Sequence, residues 1–399
     1  MISGWKGIFL FFFASSAVNP PQNFAREFRP RLLPSIFKNT SRGVRPIRRY
    51  IPELDGLRAF AIAGVLLVHS NFSFRQPVLE MIRCWGWIGV DLFFVISGYL
   101  ITSILLGTRE QPHYYRNFYA RRGLRIWPLY YLLMLFVFVV SPHLGAWAKQ
   151  DYNPAVIHWP YYLFYVQNLV YPRLGSFALV ITWSLCVEEQ FYMVWPFLVR
   201  LCSRRGLTMI ALSVLVLGTP FRMYLHAVND SLGFFFTFSR LDPIAAGALV
   251  ALHPRWFKHA WLLAPWTVWL LWRGHFEFVF LGLALTFAGF VSYAVLNENR
   301  MLRARPLRFV GKVSYGVYIL HPILMGVFWM TPLYSAAAHL PYTHILRMVG
   351  QVLFTIPFAA VCWYLFEKPI LGLKRFFEAG GEHKERGVPL AAMAASAAD

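Results

Sequence analysis

Charge is what this sequence has least of. Only 14% of its 399 residues are Asp, Glu, Lys or Arg, against 58% apolar, and the mean hydropathy is +0.49. Soluble globular domains carry roughly a quarter charged residues. The two or three soluble domains that length alone would suggest are therefore excluded. Cysteine is scarce too. Cys84, Cys186, Cys202 and Cys362 show no C-x-x-C or metal-ligand spacing, so neither a disulfide scaffold nor a metal or redox centre is expected. Among the charges, acid is the rarer: 18 Asp and Glu stand against 38 Lys and Arg, a net charge of +20. In a soluble protein that excess would point to nucleic acid. In a chain this apolar it points to positively charged cytoplasmic loops and to membrane lipid with anionic headgroups, and no nucleic-acid partner is expected. No internal repeat is visible, which counts against a transporter of the inverted-repeat type. No G-x-x-x-x-G-K-[ST] run is present, so there is no P-loop.

What the sequence does have is long apolar runs, such as residues 88–106 and 279–296. They are too long and too continuous for the alternating segments of about 10 residues of a membrane β-barrel. The expected fold is all-α, a polytopic membrane protein of about ten transmembrane helices. The spans are expected near 54–71, 87–107, 126–142, 179–199, 207–226, 236–252, 259–272, 277–296, 309–330 and 346–366. Residues 156–171 are also apolar but short, and are read as re-entrant or interfacial. With that choice, 29 of the 38 basic residues fall in segments on one side and only five in loops on the other. The positive-inside rule then puts both termini in the cytoplasm.

Three regions follow. Residues 1–50 form a basic N-terminal extension, expected to be poorly ordered. Its apolar stretch 8–18 is too short to span. It resembles a weak signal-peptide core, but cleavage there would leave the basic stretch 26–49 outside. Residues 51–370 form the membrane-embedded domain. Residues 371–399 form a cytoplasmic tail, Gly/Ala-rich from residue 379 and expected to be disordered. No soluble domain is expected.

Ionisable residues inside apolar runs are costly and mark candidate sites. The first span carries Asp55, Arg58 and His69. Arg58 and His69 are eleven residues apart, three turns and about 20°, so they share a helix face about 16 Å apart along the axis. A snorkelling arginine and a hydrogen-bonded core histidine would fit that pattern equally. The run from Thr182 to Tyr192 holds Glu188 and Glu189, and two adjacent carboxylates cannot both face lipid. A helix–helix glue site is the plain alternative. Arg121, Arg122 and Arg125 lie in an expected cytoplasmic loop. They fit the positive-inside rule, or a phosphate site for an anionic substrate. Asp91, Arg240, Asp242, Tyr318 and His321 are weaker signals. Arg240 and Asp242 read as a structural pair or a backbone cap, and Tyr318 and His321 as i, i+3 neighbours.

These motifs, in this order, resemble the acyltransferase-3 family of bacterial integral-membrane O-acyltransferases. Asp55-Gly-Leu-Arg58 with His69 resembles its Arg-x10-His signature. The run from Gly89 through Asp91 to Tyr99 resembles its second motif, and Arg122-Gly-Leu-Arg125 its Arg-x-x-Arg motif. Trp183-Ser-Leu to Glu188-Glu189-Gln-Phe-Tyr192 is similar to its acidic block. Ser314-Tyr315 to Tyr318 and His321-Pro322, then Glu367-Lys368-Pro369, complete the series. The resemblance covers about residues 51–370. It implies a ten-helix domain of the bacterial inner membrane with no permanently bound cofactor. It further implies acyl-CoA, most often acetyl-CoA, as donor and a hydroxyl of a glycan, glycolipid or polysaccharide as acceptor. Some members carry an extracytoplasmic hydrolase-like domain for a second transfer. None is expected here, and the 50-residue basic extension departs from the pattern.

A sugar hydroxyl attacking a thioester needs a general base. His69 is the first choice, with Glu188 or Glu189 orienting or charge-balancing it. Arg58 would hold a phosphate or polarise the carbonyl, and Arg122 and Arg125 would anchor the donor's phosphates. Asp55, Asp91, Tyr192, Arg240, Asp242, Tyr318 and His321 are expected to support the site. Direct transfer is favoured over an acyl-enzyme, since no Ser or Cys is visibly activated. The competing reading is a proton-coupled transporter or flippase of a lipid-linked sugar. It explains the buried charges but not the Arg-x-x-Arg loop.

Overall fold

The structure, a computed structural model, describes residues 50–70, 76–143, 159–170, 177–336 and 343–377. The extension up to residue 49 and the tail beyond residue 377 lie outside the described residues, and so do the expectations attached to them. The described residues form helices and no strand. We number the principal helices α1 Pro52–His69, α2 Ile88–Thr108, α3 Tyr114–Leu135, α4 Trp183–Leu201, α5 Arg204–Val228, α6 Asp242–Leu252, α7 Ala264–Arg273, α8 Phe276–Leu296, α9 Arg305–Trp329 and α10 Thr343–Cys362.

Helices fall on all ten expected segments, but not as ten equal spans. Six stretches among the described residues are long and apolar enough to cross a membrane: Pro77–Thr108, Tyr114–His143, Arg204–Val228, Glu277–Leu296, Arg305–Trp329 and Ile345–Phe377. Two of the other segments are short. The 236–252 segment is a 3-10 turn, Thr237–Arg240, followed by the 11-residue α6, and the 259–272 segment is a turn followed by the 10-residue α7. The remaining two, α1 and α4, have the length, at 18 and 19 residues. Their apolar character is interrupted by Glu53, Asp55 and Arg58 in one and by Glu188, Glu189 and Arg200 in the other. The charges that weaken these two as apolar spans are in large part the candidate site residues.

Short α6 occupies the middle of the bundle, packed on α2, α5 and α8. All its residues but Ala251 are buried. It can lie this close to α2 because each helix presents glycine to the other's backbone. A Cβ on Gly98 would stand 2.0 Å from the carbonyl oxygen of Ile244, and one on Gly247 would stand 2.0 Å from that of Val95. Small residues at crossings are the usual means of close helix packing in membranes.

Residues 159–170 do not continue as a helix. A short helix, Trp159–Leu163, gives way to a turn at Tyr165, whose φ of 54° is left-handed, and a 3-10 turn follows at Gln167–Leu169. Side chains hold this segment in place. Gln190 Nε2 donates to Tyr165 O at 2.8 Å, Asn168 Nδ2 to Thr237 Oγ1 at 2.8 Å, and Gln167 Nε2 to Thr182 Oγ1 at 3.0 Å. Gln167 and Asn168 are fully buried, so these bonds satisfy groups that would otherwise be expensive.

Candidate active site

A cavity of about 110 Å³ opens between α1, α2, α3, α4 and α9. Its polar wall is made of Arg58 from α1, Ser97 from α2, Arg122 and Arg125 from α3, Ser184, Glu188 and Tyr192 from α4, and Tyr315 and Tyr318 from α9. Val90, Phe93, Phe94 and Leu185 make it apolar at one side. Helical spacing explains the grouping. Ser184, Glu188 and Tyr192 recur every four residues, and Arg122 and Arg125 every three, so each set lines one face.

A chain of hydroxyls leads to Glu188. Tyr192 donates to Glu188 Oε2 at 3.1 Å and shares a 2.5 Å hydrogen bond with Ser97 Oγ. Since the Tyr192 proton goes to the carboxylate, Ser97 is the donor in the second bond. Glu189 is turned away from the cavity. It accepts from Trp127 Nε1 at 3.2 Å, and its Oε1 is buried without a partner. Of the adjacent pair it is therefore Glu188 that lines the cavity.

The arginines have distinct settings. Arg58 pairs with Asp55 at 3.1 Å, and Asp55 also accepts from Tyr50 at 2.5 Å. The Arg122 guanidinium carbon lies 5.9 Å from the Tyr192 ring centre. Arg125 stands 3.6 Å from Glu367 and over the Tyr315 and Trp363 rings. Arg122 and Arg125 also line a second, basic pocket with Arg121, Asn117, Gln111 and Lys374. They form the partition between that mouth and the inner cavity.

His69 lies at the far end of α1 from Arg58 and does not line the cavity. Its Nδ1 donates to Val65 O at 2.9 Å, which leaves the lone pair of the neutral ring on Nε2. Its ring centre is 5.0 Å from that of His321. Glu188 bonds to Tyr192 and Glu189 to Trp127, while His69 stands beside His321. His321 leads back to the cavity through Tyr318 on the same helix, 6.0 Å between ring centres. The Tyr318 hydroxyl is 2.6 Å from Ser184 Oγ and 2.9 Å from Ile181 O.

Asp91, Arg240 and Asp242 are not in the cavity wall. Arg240 and Asp242 do not pair with each other. Arg240 bonds Asp91 at 2.9 Å, and Asp242 bonds Arg222 at 2.9 Å. Leu241 separates the two in sequence, and α6 begins at Asp242, so their side chains leave in different directions. The four charges are fully buried, and the Phe280 ring centre lies 4.2 Å from the Arg222 guanidinium carbon and 4.3 Å from that of Arg240. Sequence reasoning missed Arg222 as a partner here. It also missed Ser97, Ser184, Tyr315 and Lys374. Ser97, Ser184 and Tyr315 lie inside the motifs described above, whereas Lys374 sits in a basic run with no motif around it.

Comparisons with known proteins identify the family. The acyltransferase-domain family matches residues 51–367. The peptidoglycan O-acetyltransferase OatA of Listeria monocytogenes is 28% identical over 82% of this chain and 57% of its own length. The O-acetyltransferase OatA of Staphylococcus aureus is 28% identical over 82% of this chain and 58% of its own. The chain thus spans a little over half the length of these relatives. No solved structure matches it. A match over residues 51–367, with the motif residues of α1, α3, α4 and α9 gathered at one cavity, establishes that the chain belongs to the acyltransferase-3 family.

Proposed function

We propose that this chain transfers an acyl group, acetyl in the first instance, from acyl-CoA to a hydroxyl of a glycan in the cytoplasmic membrane of a bacterium. The observation that carries the reading is the shared position of Arg122 and Arg125 in two cavities. A donor with an anionic handle and a neutral thioester needs such a passage. Its phosphates rest on Arg121, Arg122, Arg125 and Lys374, and its acyl end reaches past the partition and Arg58 towards Ser184 and Tyr318, the side on which His321 and His69 lie. The acceptor comes from the His69 end of α1. Its hydroxyl oxygen attacks the thioester carbonyl carbon, its proton passes to His69 Nε2, and the carbon–sulfur bond breaks to release the thiolate. Arg58, about 16 Å from His69 along α1, holds a donor phosphate in the inner cavity. Glu188 balances the arginines of the inner cavity. Peptidoglycan is the first acceptor to try, because relatives carry that substrate in their names.

The test uses membranes containing the protein and radiolabelled acetyl-CoA, with label followed into glycan and glycolipid fractions. Label should appear with the wild type and fall at least about 100-fold in His69→Ala. Persistence of label in that variant would remove His69 as the base. No labelled glycan with acetyl-CoA or with longer acyl-CoA donors would remove the donor assignment.

A further inference from the structure

A basic cavity separate from the catalytic one lies at the start of α9. Its lining is Tyr50, Asp55, Arg305, Arg308, Phe309 and Lys312. The three cations follow one another at i, i+3 and i+7, so they form a stripe along one helix face. The one acid in the wall, Asp55, is already engaged by Arg58 and Tyr50. Among the described residues, no acid lies within ion-pair distance of Arg305, Arg308 or Lys312. The Arg308 guanidinium lies 5.9 Å from the Tyr50 ring centre, and its Nε is shut off from solvent without an acceptor.

The helix end adds a second conflict. α9 has no acid in its first turn, and Ala304 provides no side-chain cap. Basic residues at a helix N-terminus oppose its dipole. An anion in the cavity would answer both the dipole and the three cations. The positive-inside rule accounts for basic residues near a cytoplasmic surface. It does not account for three of them converging on one concavity, with Arg305 and Arg308 at the helix end that disfavours them.

We infer that this cavity binds the phosphate of an anionic phospholipid headgroup. The lipid source follows from position. Phe309, exposed beside the cations, opens the apolar stretch of α9, which places the cavity at headgroup depth, where aromatic rings and basic side chains collect.

The test uses the full chain purified in detergent and native mass spectrometry with phosphatidylglycerol or phosphatidylethanolamine. The wild type should retain phosphatidylglycerol in preference to phosphatidylethanolamine. Each neutralised charge should weaken that retention about fivefold, and the triple variant Arg305→Gln, Arg308→Gln, Lys312→Gln should lose the preference. Lys312→Gln alone, a change at an exposed side chain, keeps the test decisive if the triple variant unfolds. Equal retention of the two lipids by the wild type, or of phosphatidylglycerol by the wild type and Lys312→Gln, overturns the proposal. So does binding of inorganic phosphate in the absence of any preference for phosphatidylglycerol, which would make the occupant a soluble phosphate.

Discussion

The imidazole Nδ1 of His321 donates to the carbonyl oxygen of Tyr318 at 2.7 Å. In an unbroken helix that oxygen would take the N–H of residue 322. Residue 322 is proline and has none to give. The proline thereby fixes the tautomer of a fully buried histidine, because a ring that donates through Nδ1 carries its lone pair on Nε2. His321→Ala should cost about 2–3 kcal/mol, from an unserved carbonyl and a small void. Pro322→Ala in that background restores an N–H and should recover about 1 kcal/mol. Unfolding free energies of the four proteins in mixed micelles test this. Strictly additive effects would remove the link.

Glu188 and Glu189 should separate under conservative substitution. Glu188 lines the cavity and accepts from Tyr192, whereas Glu189 accepts from Trp127. Glu188→Gln removes a charge next to the arginines and should lower transfer at least tenfold. Glu189→Gln keeps an oxygen that accepts from the indole and should stay within about threefold of wild type. Label transfer from acetyl-CoA measures both. The reverse ranking would mean that α4 is rotated relative to the cavity.

Lys374 and Arg125 make different predictions about the donor. Lys374 lines only the basic mouth, and Arg125 lines the mouth and the inner cavity. Lys374→Ala should raise KM for acetyl-CoA by roughly fivefold to tenfold with kcat unchanged, the mark of lost uniform binding. Arg125→Ala should lower kcat as well. A change confined to the acceptor KM in either variant would put the donor elsewhere.

How far the site could be read from the sequence depended on distance along the chain. Pairs within one helix were legible. Glu188 with Tyr192 at four residues and Tyr318 with His321 at three follow from helical spacing. Arg122 and Arg125, expected in a cytoplasmic loop, instead stand three residues apart in α3, because the helix begins at Tyr114 and carries the basic run with it. Partners on different helices were not. Ser184 with Tyr318, Arg240 with Asp91 and Arg125 with Glu367 are set by helix rotation and crossing, which periodicity leaves free. The same freedom explains why the sequence could not separate Glu188 from Glu189. The all-helical fold was legible from apolar runs alone. The short, buried α6 was not, because an apolar run does not reveal whether its helix reaches both faces of a membrane.

The buried quartet offers the sharpest stability test. Arg222 bonds Asp242 through two nitrogens, at 2.9 and 3.3 Å, and also donates to Ser239 O at 2.7 Å. Asp242→Ala strands a guanidinium that has no route to water, which should cost about 3–5 kcal/mol. Removing both charges with Arg222→Met and Asp242→Leu should recover most of that loss, because two apolar side chains of similar volume need no partner. Recovery should stop short of complete, since the Ser239 carbonyl loses its donor, at about 1 kcal/mol. The neighbouring pair sharpens the reading. Arg240 shares the Phe280 ring with Arg222, and the two ion pairs, though joined by no hydrogen bond, interact through charge. Asp91 and Asp242 repel one another across the quartet, so each single loss is partly offset by relief of that repulsion, and the double loss should exceed the sum of the two. A double variant no worse than either single would show that the four charges act as one network, with Phe280 as its hinge.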